Sequence, residues 1–113
     1  MHAKMSMQLD MLRDAGLTDG ETKVYLALLQ LGSTTTGPIT EKSGVANSII
    51  YRILNSLLEK GLASYITKDK TKYFQAAPPQ RLLDYLEERK EQIDKSKASI
   101  TTALPQLTAL MKL

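Results

Sequence analysis

Ser48, Arg52 and Asn55 recur at i, i+4 and i+7 through an otherwise apolar run, a spacing that places all three on one face of a helix. Their chemistry is recognition by hydrogen bonding, not bond making. A guanidinium pairs with guanine O6 and N7, a carboxamide with adenine N6 and N7, and a hydroxyl with phosphate or either base. Asn47 and Ile49 open the same run, where an outward Ile49 can meet a thymine methyl. Tyr51 borders the inward stripe, so core packing is favoured over a phosphate hydrogen bond. Singly, each of these residues is equally an ordinary cap, a solvated side chain or peripheral core. Further on, Lys68, Lys70 and Lys72 alternate around Asp69. They suit phosphate contacts, although lysine also blunts exposed strand edges.

Covalent chemistry has little to work with. The chain lacks cysteine and its only histidine is His2, which disfavours thiolate nucleophiles, Ser-His-Asp arrangements, and zinc sites built on Cys or several His. Gly32 and Gly37 have the spacing of a phosphate-loop glycine pair, but Pro38-Ile39 follows where Lys-Ser/Thr is required. Asp84, Glu87, Glu88, Glu91 and Asp94 are interleaved with Arg89, Lys90 and Lys95, the habit of a solvated helix face. The expectation is a protein that is not an enzyme and carries neither metal nor cofactor.

The elements that must position the recognition face follow from periodicity. Met5, Leu9 and Leu12 mark a short amphipathic helix over 5–15, ended by Gly16. Thr18 and Glu21 have capping-box spacing ahead of a buried helix through Val24, Leu28 and Leu31, stopped by Gly32. Residues 33–37 are a connection or short β-stub. Pro38 opens a brief helix to about Ser43, with Ile39 inward and Gly44 at its end. Asn47 is a candidate N-cap for a helix running to Lys60, buried along Ile50, Leu54 and Leu57. Alternation over 62–67, a polar turn Lys68–Thr71 and a β-rich run 72–77 predict a hairpin. Pro78-Pro79 ends it.

From Gln80 onward the chain has no glycine, and Leu86, Ile93, Ile100 and Leu107 recur every seven residues, widened by Leu82, Leu83, Leu104 and Leu110. Such a stripe must be covered. A second copy is the economical partner, through Leu82, Leu83, Leu86, Ile93, Ile100, Leu104 and Leu107, and folding back onto the chain's own body is the alternative. Pro105 is expected to kink or interrupt this helix. At 113 residues, 42% apolar and 24% charged, the chain holds one ordinary core. It lacks an apolar run of membrane-spanning length, and a cytoplasmic location is expected. The net charge of +3 is concentrated in 47–77, where Arg52, Lys60, Lys68, Lys70 and Lys72 face only Glu59 and Asp69.

Together these predict a mainly α fold with a small β-hairpin (α+β): a winged helix-turn-helix domain over 1–79 and a long dimerisation helix over 80–113. Leu17-Thr18, Glu21, the run Val24–Leu29, Gly32, Ile39, Ser43-Gly44-Val45, Tyr51, Leu54, Leu57 and Lys60-Gly61-Leu62 resemble the winged-helix domain of the TrmB-like family of archaeal transcriptional regulators. The resemblance covers residues 9–79 and implies sequence-specific duplex binding, dimerisation and control of transcription initiation. Two departures stand out. Ala46, Asn47 and Ile49 occupy places where that family often has Pro and then basic residues, leaving Arg52 as the one cation on the face. A C-terminal sugar-sensing domain, carried by longer members, has no counterpart in this sequence, so a sugar response is not carried over. The expected partners are double-stranded DNA and a second copy, with helix 47–60 in the major groove and the wing 62–77 on backbone or minor groove. The alternative is a winged-helix protein-interaction module without specific DNA binding.

Overall fold

A computed structural model describes residues 2–112, with side chains from Met7 onward; the side chains of His2 and Met5, singled out above, lie outside the described residues. Seven elements follow in order: α1 His2–Asp14, α2 Asp19–Leu31, α3 Thr36–Ser43, α4 Ile50–Glu59, β1 Ala63–Lys68, β2 Thr71–Ala76 and α5 Arg81–Ala109. The predicted α+β winged helix-turn-helix is the observed architecture.

Local chemistry sets most boundaries. Gly16, at φ 102°, turns the chain out of α1. The Thr18 hydroxyl accepts from the Glu21 amide at 3.1 Å while the Glu21 carboxylate accepts from the Thr18 amide at 2.9 Å, so the capping box forms as its spacing requires. Gly44 ends α3 in the left-handed region at φ 73°. α3 starts two residues before Pro38, which is tolerated in the first turn because its missing amide has no intrahelical partner there.

Val24, Tyr25, Leu28, Ile39, Ile50, Leu54, Leu57, Leu62 and Phe74 are buried and form one core between α2, α3, α4 and the hairpin. The hairpin is antiparallel, with Tyr65 opposite Phe74 and Lys68 opposite Thr71. The expected β-stub is real: Thr34 and Phe74 exchange backbone hydrogen bonds of 2.9 and 2.7 Å, tying the wing to the start of α3. The Gly32–Gly37 stretch therefore ends α2 and pairs with the sheet. Asp69 and Lys70 both have positive φ, 48° and 66°, the geometry of a two-residue type I′ turn.

α5 departs from the sequence expectation in that Pro105 does not interrupt it. The helix runs unbroken to Ala109. One missing amide is tolerated where the helix faces water and helix-forming residues stand on both sides. Leu82, expected at a dimer interface, is half-buried and, with Tyr85, packs against the chain's own core. Beyond these first turns the helix leaves the body, and the radius of gyration is 18.3 Å against about 13 Å for a compact chain of this length. Leu83, Leu86, Ile93, Ile100, Leu104 and Leu107 are exposed. Within one chain, folding back is confined to the base of α5.

Candidate nucleic-acid interface

α4 buries Ile50, Ile53, Leu54 and Leu57, and the opposite face belongs to Arg52, Asn55 and Glu59, with Ser48 in the turn just before the helix, all exposed. Arg52 and Asn55 share that face as their spacing predicts, Ser48 precedes the helix, and Glu59, which the sequence analysis does not single out, continues the same spacing and sets a carboxylate at the far end. Among the described residues Arg52 makes no ion pair, so its guanidinium is free to bind.

The start of the helix differs from expectation. Asn47 caps nothing: residues 47–49 form a turn and α4 begins at Ile50. The Ile49 amide, which an Asn47 cap would address, already donates to the Ala46 carbonyl at 3.1 Å. Asn47 and Ser48 are thereby left exposed at the mouth of the helix. Ile49 does not project outward; it packs against the core and lines a cleft between α4 and the start of α2.

That cleft runs along Thr18, Gly20, Arg52, Ile53 and Ser56. Its floor is a polar cluster invisible in the local sequence pattern. Glu21, with 3% of its side chain exposed, accepts from Ser56 Oγ at 2.6 Å and from Lys60 Nζ as well as from its cap. Burial works to raise the Glu21 pKa, but the hydrogen bonds from Lys60, Ser56 and the Thr18 amide outweigh it and hold the carboxyl below the ordinary glutamate range. Asp19, on the rim, is held low by Lys23 and Arg13. Gly20 permits the close approach of α2 to α4, since a Cβ there would stand 2.6 Å from Ile53 Cδ1.

On its other flank α4 meets the wing. Tyr51 is 55% exposed, not core as its sequence position favoured. It stands edge-on to Phe74 with ring centroids 6.5 Å apart and forms one side of a groove completed by Thr35, Thr36, Lys70, Thr71 and Lys72. Lys72 lies over the Tyr65 ring at 4.6 Å, which steadies its ammonium group beside the groove. Lys72 pairs with Thr67, the neighbour of Lys68 on β1, so Lys68 belongs to the opposite face of the hairpin. The three tip lysines are therefore divided, two at the groove and one behind it. Thr35 and Thr36, which in the sequence belong to a connection or short β-stub, bring hydroxyls and the first amides of α3 to the same groove.

A helix pair joined through Gly44, an exposed face on the second helix and a lysine-tipped wing beside it define a winged helix-turn-helix. The chain matches the family described as "Sugar-specific transcriptional regulator TrmB" over residues 12–80. It belongs to that family of transcriptional regulators. Relatives include YrhO of Bacillus subtilis (strain 168), 36% identical over 75 residues, which cover 66% of this chain and 27% of that protein. The HTH-type sugar sensing transcriptional regulator TrmBL1 of Pyrococcus furiosus is 38% identical over 58 residues, covering 51% of this chain and 17% of the relative. This chain thus spans about a quarter or less of the length of those relatives. Among solved structures, the archaeal chromatin protein TrmBL2 superposes with a TM-score of 0.80 at 24% identity, over 94% of this chain and 42% of that one. A MarR-family transcriptional regulator from Silicibacter pomeroyi does so at 0.57 and 15%, over 99% and 86%. Both similarities are of fold.

Proposed function

We propose that the chain is a sequence-specific double-stranded DNA-binding transcriptional regulator that acts as a homodimer. α4 enters the major groove, where Asn47, Ser48, Arg52 and Asn55 meet base edges. Lys70 and Lys72, with Tyr51, Thr35 and Thr36, hold adjacent phosphates, and Lys68 reaches backbone from the far side of the wing. The exposed stripe on α5 pairs with its copy. The observation that carries this is one groove shared by three separate segments, Tyr51 of α4, Thr35 and Thr36 at the start of α3 and Lys70–Lys72 at the wing tip, with the exposed Arg52 next to Tyr51 on the same helix. No chemical step is part of the proposal.

The test is binding of duplexes selected from a random pool, measured across salt concentrations. Affinity is expected to fall steeply with salt, by about 0.9 in log–log slope for each phosphate neutralised. Arg52→Ala is expected to cost about 1–3 kcal/mol on the selected duplex and to relax its sequence preference. A second reading, a protein-interaction module, is favoured by Glu59 on the same face as Arg52. A salt-independent, sequence-blind response supports that one instead.

A further inference from the structure

The base of α5 is fastened to the body at more points than a mere connection needs. Ala77 donates to the Leu62 carbonyl at 2.9 Å, and Pro78-Pro79 then lead directly into the helix, with Leu82 donating to the Pro79 carbonyl at 3.0 Å. Leu82 and Tyr85 pack on the core. One turn on, Arg89 Nη1 donates to the Ala15 carbonyl at 2.6 Å, at the corner between α1 and α2. Gly16 makes room for it: a Cβ there would lie 1.7 Å from Arg89 Nη1. The Tyr85 ring receives two cations, Arg89 with Cζ 5.7 Å from its centroid and Lys60 with Nζ at 5.9 Å. Lys60 closes α4 and is bonded to Glu21, in the first turn of α2. One aromatic ring thus joins the end of α4, the α1–α2 corner and the start of α5.

From Arg89 to the end of α5 roughly 20 residues extend for about 30 Å, the first few bordering a cleft with Asp14 and Ala15 and the rest projecting as an arm. A tilt of about 10° at its base moves the far end by about 5 Å, more than the roughly 3.4 Å step between base pairs. We infer that Tyr85 and Arg89 are positioning residues: they fix the angle between α5 and the α2–α4 body, and so the half-site spacing that the dimer accepts. This rests on the homodimeric DNA-binding function proposed above.

The experiment uses the full chain and palindromes built from the selected half-site, with spacers varied in single base pairs. Wild-type protein is expected to prefer one spacer about tenfold over neighbours two pairs away. Arg89→Ala and Tyr85→Leu are expected to bring that ratio within about threefold while leaving affinity for an isolated half-site unchanged. Because the chain has no cysteine, a spin label on Ser33→Cys reports the distance between the two bodies without DNA. That distribution is expected to be narrow in wild type and broad in both variants. A sharp spacer preference that survives in Arg89→Ala, with an unchanged distance distribution, overturns the inference and leaves the proposed function standing. Wild-type protein that binds no duplex overturns both.

Discussion

Glu21 joins two levels of structure in one carboxylate. Its link to Thr18 is local and could be read from spacing alone, since a capping box occupies four consecutive residues. Ser56 and Lys60, its other donors, lie 35 and 39 residues away and meet it only because α4 crosses the start of α2. Every partner of this carboxylate is a donor, so Glu21→Gln must turn its amide NH2 toward one of them. We expect that variant to lose about 1–3 kcal/mol, read from its urea midpoint. The folded-state pKa lies below the ordinary value of 4.5. The ionised group therefore stabilises the fold fully above that value, and the contribution disappears as pH falls from there through the lowered pKa. Wild-type stability should decline on that acid limb, and Glu21→Gln should show a shallower decline. The same distinction explains the misplacement of Tyr51. Its helical position was legible, but its exposure depends on where Phe74 of the wing comes to rest.

At the scale of elements, the turns were the most legible features and the helix start in front of Ile50 the least. Glycines at 16, 32, 44 and 61 all adopt positive φ, so each stop signal has a steric cause that a sequence shows directly. By contrast, Asn47 is a good cap by type, and what displaces it is a competing backbone bond from Ile49 to Ala46. Residue preference cannot reveal that competition. Pro105 is the converse: a strong local breaker overridden in a long exposed helix. The wing tip shows a local rule broken in a place that matters. A type I′ turn favours Asn-Gly, and here Asp69 and Lys70 occupy the left-handed region. Lys70→Gly should relieve the backbone and raise stability by about 0.5–1 kcal/mol. It should also remove one phosphate contact, weakening duplex binding uniformly across sequences and lowering the salt slope by about 0.9. Thermal melts and salt titrations of the same variant then move in opposite directions. A variant that gains stability and keeps the full slope argues that Lys70 does not touch DNA.

For the molecule as a whole, the deciding question is what covers α5. Leu86, Ile93, Ile100 and Leu107 are each 40–55% exposed and lie at seven-residue intervals along a helix that its own body contacts only at the base. A two-fold pairing buries each of these side chains twice, once per copy. Each burial is worth at most about 1.5–3 kcal/mol, and less here because the side chains are already partly covered. Ile100→Asp would set a carboxylate without a partner into that seam in both copies. We expect a loss of at least about 3 kcal/mol in dimerisation, a hundredfold or more in the association constant, by sedimentation equilibrium. Lys95→Asp, on the opposite face of the helix, is expected to leave association unchanged. Since α4 and the wing belong to a body that folds around its own core, Ile100→Asp should bind an isolated half-site as wild type does. Its advantage on the palindrome should disappear, because the two half-sites are no longer linked. If wild-type protein sediments as a monomer at micromolar concentration, the stripe serves some other contact. The two-fold arrangement, and any spacing that depends on it, then fall together, while the recognition face on α4 is left to be judged by its own titration.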